Sequence, residues 1–198
     1  MRIWILYVFI MHFSYAVYSQ AEKSAIDYYN KGVEYSNSKN YELAIASYST
    51  CLEKDPNYIR AYYNRGTSAM SLQKYNDAIA DFDKAILIDP DFVKAYLYKG
   101  YTLLLQGDYN SSIKVLTKAI EKDATQAKAF LHRGTAYMKA GTYDNAIADI
   151  TTAIKMGEHT YAAFLNRALC NNKIKDFTGA LSDFTAAANI KPDQYVTA

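Results

Sequence analysis

The side chains able to do chemistry are few and scattered. The chain holds three histidines and two cysteines. His132 and His159 have no second histidine or cysteine at the spacing a zinc site needs. No nucleophile, base and orienting group fall together, so no catalytic residue is assigned and an enzyme is not expected. Glycines occur singly, which excludes a glycine-rich loop cradling phosphate. No cofactor is implied. Lys and Arg total 22 against 20 Asp and Glu, a net charge of +2 that gives no electrostatic case for nucleic acid as the main partner. Asn110-Ser111-Ser112 matches a glycosylation sequon, which matters only in a eukaryotic host. Tyrosine, by contrast, is abundant: 20 residues against one Trp. Apolar residues make up 51% of the 198, enough for a sizeable core.

The elements that position these groups begin after an N-terminal leader. Arg2 precedes an apolar run from Ile3 to Phe13, followed by small, mildly polar residues from Ser14 to Ala21. This is the layout of a secretory signal peptide over residues 1–19, with cleavage expected after Ser19 or Ala21. The rival reading is an uncleaved membrane anchor. The stretch Ile3 to Tyr18 is short for a span of about 20 apolar residues. Export to the periplasm, the cell envelope or the outside is expected, with no membrane span after cleavage.

The remainder repeats every 34 residues. Gly32, Gly66, Gly100 and Gly134 keep this step, with Ala168 next. Tyr41, Tyr75, Tyr109, Tyr143 and Phe177 keep it too, as do Ala44, Ala78, Ser112, Ala146 and Ala180. A fourth series is Cys51, Ala85, Ala119, Ala153 and Ala187, and all three prolines (Pro56, Pro90 and Pro192) share one slot. Within each unit, apolar residues recur at helical spacing in two stretches joined by a short polar link, as in IRAYYNRGTSAMSL and NDAIADFDKAILI. Short links make the two helices antiparallel. One hairpin cannot bury its own apolar face, so neighbours must stack.

The pattern resembles the tetratricopeptide repeat (TPR). Five units fit, over residues 25–58, 59–92, 93–126, 127–160 and 161–194, with a tail at 195–198. The family's aromatic fourth position is Tyr28, Tyr62, Tyr96, Phe130 and Phe164. Its 24th position is Tyr48, Phe82, Leu116, Ile150 and Phe184. The resemblance implies an all-α fold, a right-handed superhelical solenoid. Position 7 departs from the family's Leu: it is Lys31, Arg65, Lys99, Arg133 and Arg167, read as long stems covering apolar surface with wet heads. Ala124 replaces proline after repeat 3, and Glu158 follows Gly157 after repeat 4, so these two junctions are expected to be looser. Cys51 and Cys170 fall in repeats 1 and 5. At about 10 Å per stacked helix they lie beyond the ~7 Å reach of a disulfide, and both are expected as free thiols.

Asp27 and Glu34 stand in repeat 1 where later repeats carry small residues, which marks an N-terminal cap. At the other end Ala188 replaces a large apolar residue where no sixth repeat follows. The C-terminal end is expected to be partly exposed and open to a partner or a second copy, but blunted by Ala188, so a monomer is expected rather than a homodimer. In this family the first helices line a concave groove. Carried over by position, the groove residues are Tyr29, Asn30, Arg60, Tyr63, Asn64, Lys94, Tyr98, Tyr101, Lys128, His132 and Asn166. Asparagine can both donate to and accept from an extended peptide, and Tyr supplies contact area at low entropy cost. The basic row Arg60, Lys94 and Lys128 favours acidic side chains or a C-terminal carboxylate. The family's carboxylate clamp is matched only at Asn64 and Lys94, so the chaperone-adaptor role is not expected. The expected function is a scaffold or adaptor holding a protein or peptide partner in the groove. The alternative is a structural component of a cell-envelope assembly, associating through its ends or convex face.

Overall fold

A computed structural model describes residues 25–190. The leader, its cleavage site and the tail at 195–198 lie outside the described residues. The first helix, α1, runs through residues 25–37. It is followed by α2 (Tyr41–Lys54), α3 (Ile59–Ser71), α4 (Tyr75–Ile88), α5 (Val93–Gln106) and α6 (Tyr109–Lys122). Then come α7 (Ala127–Lys139), α8 (Tyr143–Lys155), α9 (Tyr161–Lys173) and α10 (Phe177–Ile190). No described residue is in a strand. No helix among the described residues is long and apolar enough to cross a membrane. The helices form two compact units, one ending at Pro90 and one starting at Asp91.

In the first unit α3 packs against both α2 and α4. Its core joins Ala25 of α1, Tyr48, Cys51 and Leu52 of α2, and Ala61 of α3. In the second unit each helix from α5 to α10 packs on the next, and the first helices of successive repeats, α5, α7 and α9, also touch. The same three-element cluster recurs there: Leu97, Leu116, Ala119 and Ala129, then Leu131, Ile150, Ala153 and Ala163. The alanine at position 3 of a first helix thus rests on the second helix of the repeat before it.

The glycine series explains how the helices approach so closely. A Cβ on Gly66 would stand 2.8 Å from Phe82 Cε1, and one on Gly100 would stand 2.5 Å from Leu116 Cγ. Glycine at position 8 therefore makes room for the large residue at position 24. Tyr48, Phe82, Leu116 and Ile150 are all at most 1% exposed. Each such burial stabilises the fold by roughly 1.5–3 kcal/mol. In repeat 5, Ala168 takes the glycine slot and Phe184 is 38% exposed.

The hairpin links share one conformation. The residue at position 15 is left-handed in all five repeats: Lys39, Gln73, Gly107, Gly141 and Lys175, with φ from 60° to 92°. The amide of the next residue closes the turn, as when Lys74 N–H donates to Ala69 O (2.9 Å). Between repeats, an aspartate ends the second helix in extended geometry at Asp55, Asp89 and Asp123.

Three expectations are corrected here. The junction after repeat 3 is not loosened by the loss of proline. Asp123 Oδ1 accepts from Thr125 N–H (2.9 Å) and Thr125 Oγ1 (2.6 Å), and Oδ2 accepts from Gln126 Nε2 (2.6 Å). Asp55 makes the matching bond to Asn57 N–H (2.9 Å) beside Pro56, so the aspartate holds this turn with or without proline. After repeat 4, Gly157 takes φ 102° and Glu158 N–H donates to Ala153 O (3.0 Å), a regular helix ending. Nor is the last face blunted: Phe177 and Leu181 of α10 are 64% and 69% exposed despite Ala188.

The third correction concerns position 7. The arginine heads are not wet. Arg65 donates through Nε and Nη2 to both oxygens of Asp81 (2.9 and 2.7 Å), and through Nη1 to Ser49 Oγ (2.9 Å). Arg133 repeats this with Asp149 and Thr117, and Arg167 with Asp183 and Thr151. Each arginine ties the second helix of its own repeat, 16 residues on, to the second helix of the repeat before. Where position 7 is lysine, position 23 is not acidic: Lys31 goes with Ser47, and Lys99 with Val115. Burial outweighs the hydrogen bonds at Asp81 and holds its carboxyl above the ordinary range. The carboxylate in turn holds the Arg65 guanidinium above its ordinary value.

The free thiols are also placed. Cys51 and Cys170 are both unbonded and fully buried, and burial pushes each thiol up to about 11.

Candidate functional site

The candidate residues fall on the first helices, and the two units present them differently. In the first unit Asn30 of α1 and Arg60 of α3 are exposed, while Tyr29, Tyr63 and Asn64 are half-buried. Asn64 Nδ2 donates to Tyr29 Oη (3.1 Å). The Tyr29 ring packs against Tyr58 at 5.0 Å and Tyr48 at 5.9 Å between centroids. Tyr63 lies 6.1 Å from Phe82. These tyrosines are therefore partly structural, and one amide proton of Asn64 is used within the protein. Burial, with Tyr29 nearby, pushes the Tyr48 hydroxyl up to about 12.

The second unit has an open groove. Where α5 faces α7, Leu97, Tyr98 and Tyr101 meet Lys128, Leu131 and His132 around a depression of about 240 Å³, with Glu158 on its rim. A second depression of about 440 Å³ adjoins it, with Leu104, Leu105 and Tyr109 on one side and Thr135, Lys139 and Asn166 on the other. Tyr101, Leu131 and His132 border both. The rings of Tyr101 and His132 stack at 4.2 Å and 20°, so one stacked pair borders both depressions.

This arrangement follows from the repeat. Positions 5, 6 and 9 lie on one face of a helix, and the direct contact of α5 with α7 and of α7 with α9 brings those faces side by side. The floor is apolar (Leu97, Leu131). The rim carries opposite charges, Lys128 and Lys139 against Glu158. Burial, with Lys128 adding repulsion, pushes the His132 imidazole down to about 4, so it is neutral at pH 7. Asn166 Nδ2 donates to Thr135 Oγ1 (3.1 Å), which leaves its carbonyl oxygen and one amide proton for a ligand. Lys94 is exposed on α5 and does not border either depression.

Among the bordering residues that were not sequence candidates are Leu105, Tyr109, Lys139 and Glu158. Leu105 and Lys139 occupy position 13, a groove position in the family, and were legible in principle. Tyr109 begins a second helix, and Glu158 lies in the irregular junction after repeat 4; no periodic signal points to either. Among the described residues no group of His, Cys, Asp or Glu could hold a metal ion.

Comparison with known proteins agrees with this geometry. Family models described as "Tetratricopeptide repeat" match residues 25–58, 59–92, 82–114 and 131–195, and one described as "TPR repeat" matches 100–141. No curated protein sequence matches the chain. Among solved structures, MamA 41-end from Desulfovibrio magneticus RS-1 is 21% identical, with a TM-score of 0.79 over 87% of this chain and 97% of that one. YrrB, titled "a TPR protein with an unusual peptide-binding site", is 24% identical, with a TM-score of 0.72 over 91% of this chain and 93% of that one. At these identities the likeness is one of fold. The repeat models span nearly all of the described residues, and the chain belongs to the tetratricopeptide repeat family.

Proposed function

We propose that this protein is an exported, non-enzymatic scaffold that holds a segment of another protein in the groove between α5, α7 and α9. The observation that carries the reading is the pair of adjoining depressions that share the Tyr101–His132 stack. An apolar floor open to solvent, with a few polar groups on its rim, suits a peptide with apolar side chains in each depression. Lys128 and Lys139 favour an acidic residue or a chain terminus beside them. YrrB supports the reading by its title, which names a peptide-binding site in a protein of this fold. The N-terminal leader supports export to the periplasm, the cell envelope or the outside.

The test is crosslinking and mass spectrometry in the native host, comparing the natural protein with Tyr101→Ala/Lys128→Glu. Loss of the anchor and reversal of the rim charge should weaken capture by roughly 30-fold or more, the scale of an interface hot spot. Helical circular dichroism should stay unchanged, because Lys128 is exposed and Tyr101 half-buried. Partners crosslinked equally by both proteins would reject the groove. Intact-mass analysis of the envelope fraction tests export: a mass corresponding to removal of residues 1–19 or 1–21 is expected.

A further inference from the structure

The outer face of α10 is an unfilled copy of a surface that the rest of the chain fills. At position 17 Tyr109 and Tyr143 are half-buried, and so are Ile113 and Ile147 at position 21. Their counterparts Phe177 and Leu181 are 64% and 69% exposed, and Phe184 is 38% exposed where Leu116 and Ile150 are fully buried. The repeat states what covers such a face. On α2, α6 and α8 it is the first helix of the next repeat, α3, α7 and α9. That helix presents alanine at position 3 (Ala61, Ala129, Ala163) and a small residue at position 10 (Ser68, Ala136, Cys170), all at most 1% exposed. At position 7 it carries an arginine whose Nη1 donates to the hydroxyl at position 25 of the helix below: Ser49, Thr117 or Thr151 (2.9–3.0 Å).

The fourth such hydroxyl is Thr185. It is exposed and donates its proton to Leu181 O (2.8 Å), as Thr117 donates to Ile113 O (2.8 Å) while accepting from Arg133. Thr185 therefore turns its lone pairs outward, in the arrangement that receives arginine elsewhere in the chain. We propose that the α10 face docks a helix from a different protein, one with small residues at its third and tenth positions and an arginine at its seventh. This helix would pack over Phe177, Leu181 and Phe184 and donate to Thr185. A second copy of the chain is a poor occupant in head-to-tail fashion. Its α1 carries exposed Asp27 and Glu34 at the two positions that must be small and fully buried, and those carboxylates would be desolvated without partners.

The experiment uses the full chain and a labelled, hydrocarbon-stapled peptide with the sequence of residues 160–175, Cys170 replaced by Ser. That segment holds the required Ala163 and Arg167. Fluorescence anisotropy should show saturable binding below about 1 mM. Leu181→Glu in the protein should weaken it by about tenfold or more, and either Thr185→Val in the protein or Arg167→Ala in the peptide by about three- to tenfold. The two protein variants alter exposed side chains, so their melting should match the natural protein. No saturation up to about 1 mM, or binding indifferent to Leu181→Glu, overturns the proposal. So does sedimentation showing a dimer that Leu181→Glu dissolves, since the face would then belong to a second copy. The peptide groove is untouched by these variants, so its test fails or succeeds independently.

Discussion

Replacing Arg65 by methionine isolates the ion pair that recurs through the repeats. The Arg65 and Asp81 side chains are 25% and 9% exposed, so the carboxylate is nearly out of water. Breaking a buried pair by removing one partner costs about 3–5 kcal/mol, because an uncompensated charge remains. Arg65 is partly exposed and Ser49 is half-buried and able to rebond to water, so about 2–3 kcal/mol is expected for Arg65→Met. Asp81→Val alone should cost about 1 kcal/mol, since the freed guanidinium can turn toward solvent. The double change Arg65→Met/Asp81→Val leaves no orphan charge and should cost less than about 1 kcal/mol. Repeat 3 already carries Val115 in the aspartate slot. The coupling in a double-mutant cycle is therefore at least about 2 kcal/mol. Urea unfolding followed at 222 nm measures all four proteins. The acid dependence is a second reading. Burial already holds the Asp81 carboxyl above its ordinary range, and loss of Arg65 raises it further. A carboxyl raised in the folded state costs stability above its folded pKa, and the cost vanishes as pH falls through that value. The deficit of Arg65→Met should shrink between pH 7 and pH 4. Arg65→Met costing under about 1 kcal/mol, or a double change costing the sum of the singles, would refute the assignment.

Further outcomes follow from other sites. His132 is held neutral with a pKa of about 4 against 6.5 unfolded, so the unfolded chain takes up the proton first and stability falls as pH drops from 6.5 toward 4. The total loss is at most about 3 kcal/mol, and a melting-temperature profile of His132→Gln should be flatter over that window. Lys39, Gln73 and Lys175 occupy left-handed backbone that glycine fills in repeats 3 and 4. Changing each to glycine should raise stability by roughly 0.5–1 kcal/mol, read as a raised melting temperature for the triple variant. Gly66→Ala should cost about 1–3 kcal/mol by driving a methyl into the Phe82 ring, and adding Phe82→Leu should recover part of that loss in thermal melts.

Much of this protein was legible from the order of its residues. A period of 34 carried by glycine, alanine and aromatic slots determined the helix pairs, because small and large residues must alternate for helices to approach. The series Arg65–Asp81, Arg133–Asp149 and Arg167–Asp183, each 16 apart, was also present in the sequence. Sequence alone does not reveal the pairing, because a basic position looks the same whether its head is wet or paired. Asp123 was equally visible, but only its hydrogen bonds reveal that it makes proline dispensable. The groove positions on α5 and α7 came from the repeat, yet the Tyr101–His132 stack did not. Two rings on different helices meet only when those helices are set side by side. Glu158 reaches the rim from an irregular junction that no period describes. The exposure of Phe177 and Leu181 was likewise decided by the tertiary structure. Their slots match half-buried neighbours residue for residue, and burial depends on whether another helix covers them rather than on what they are.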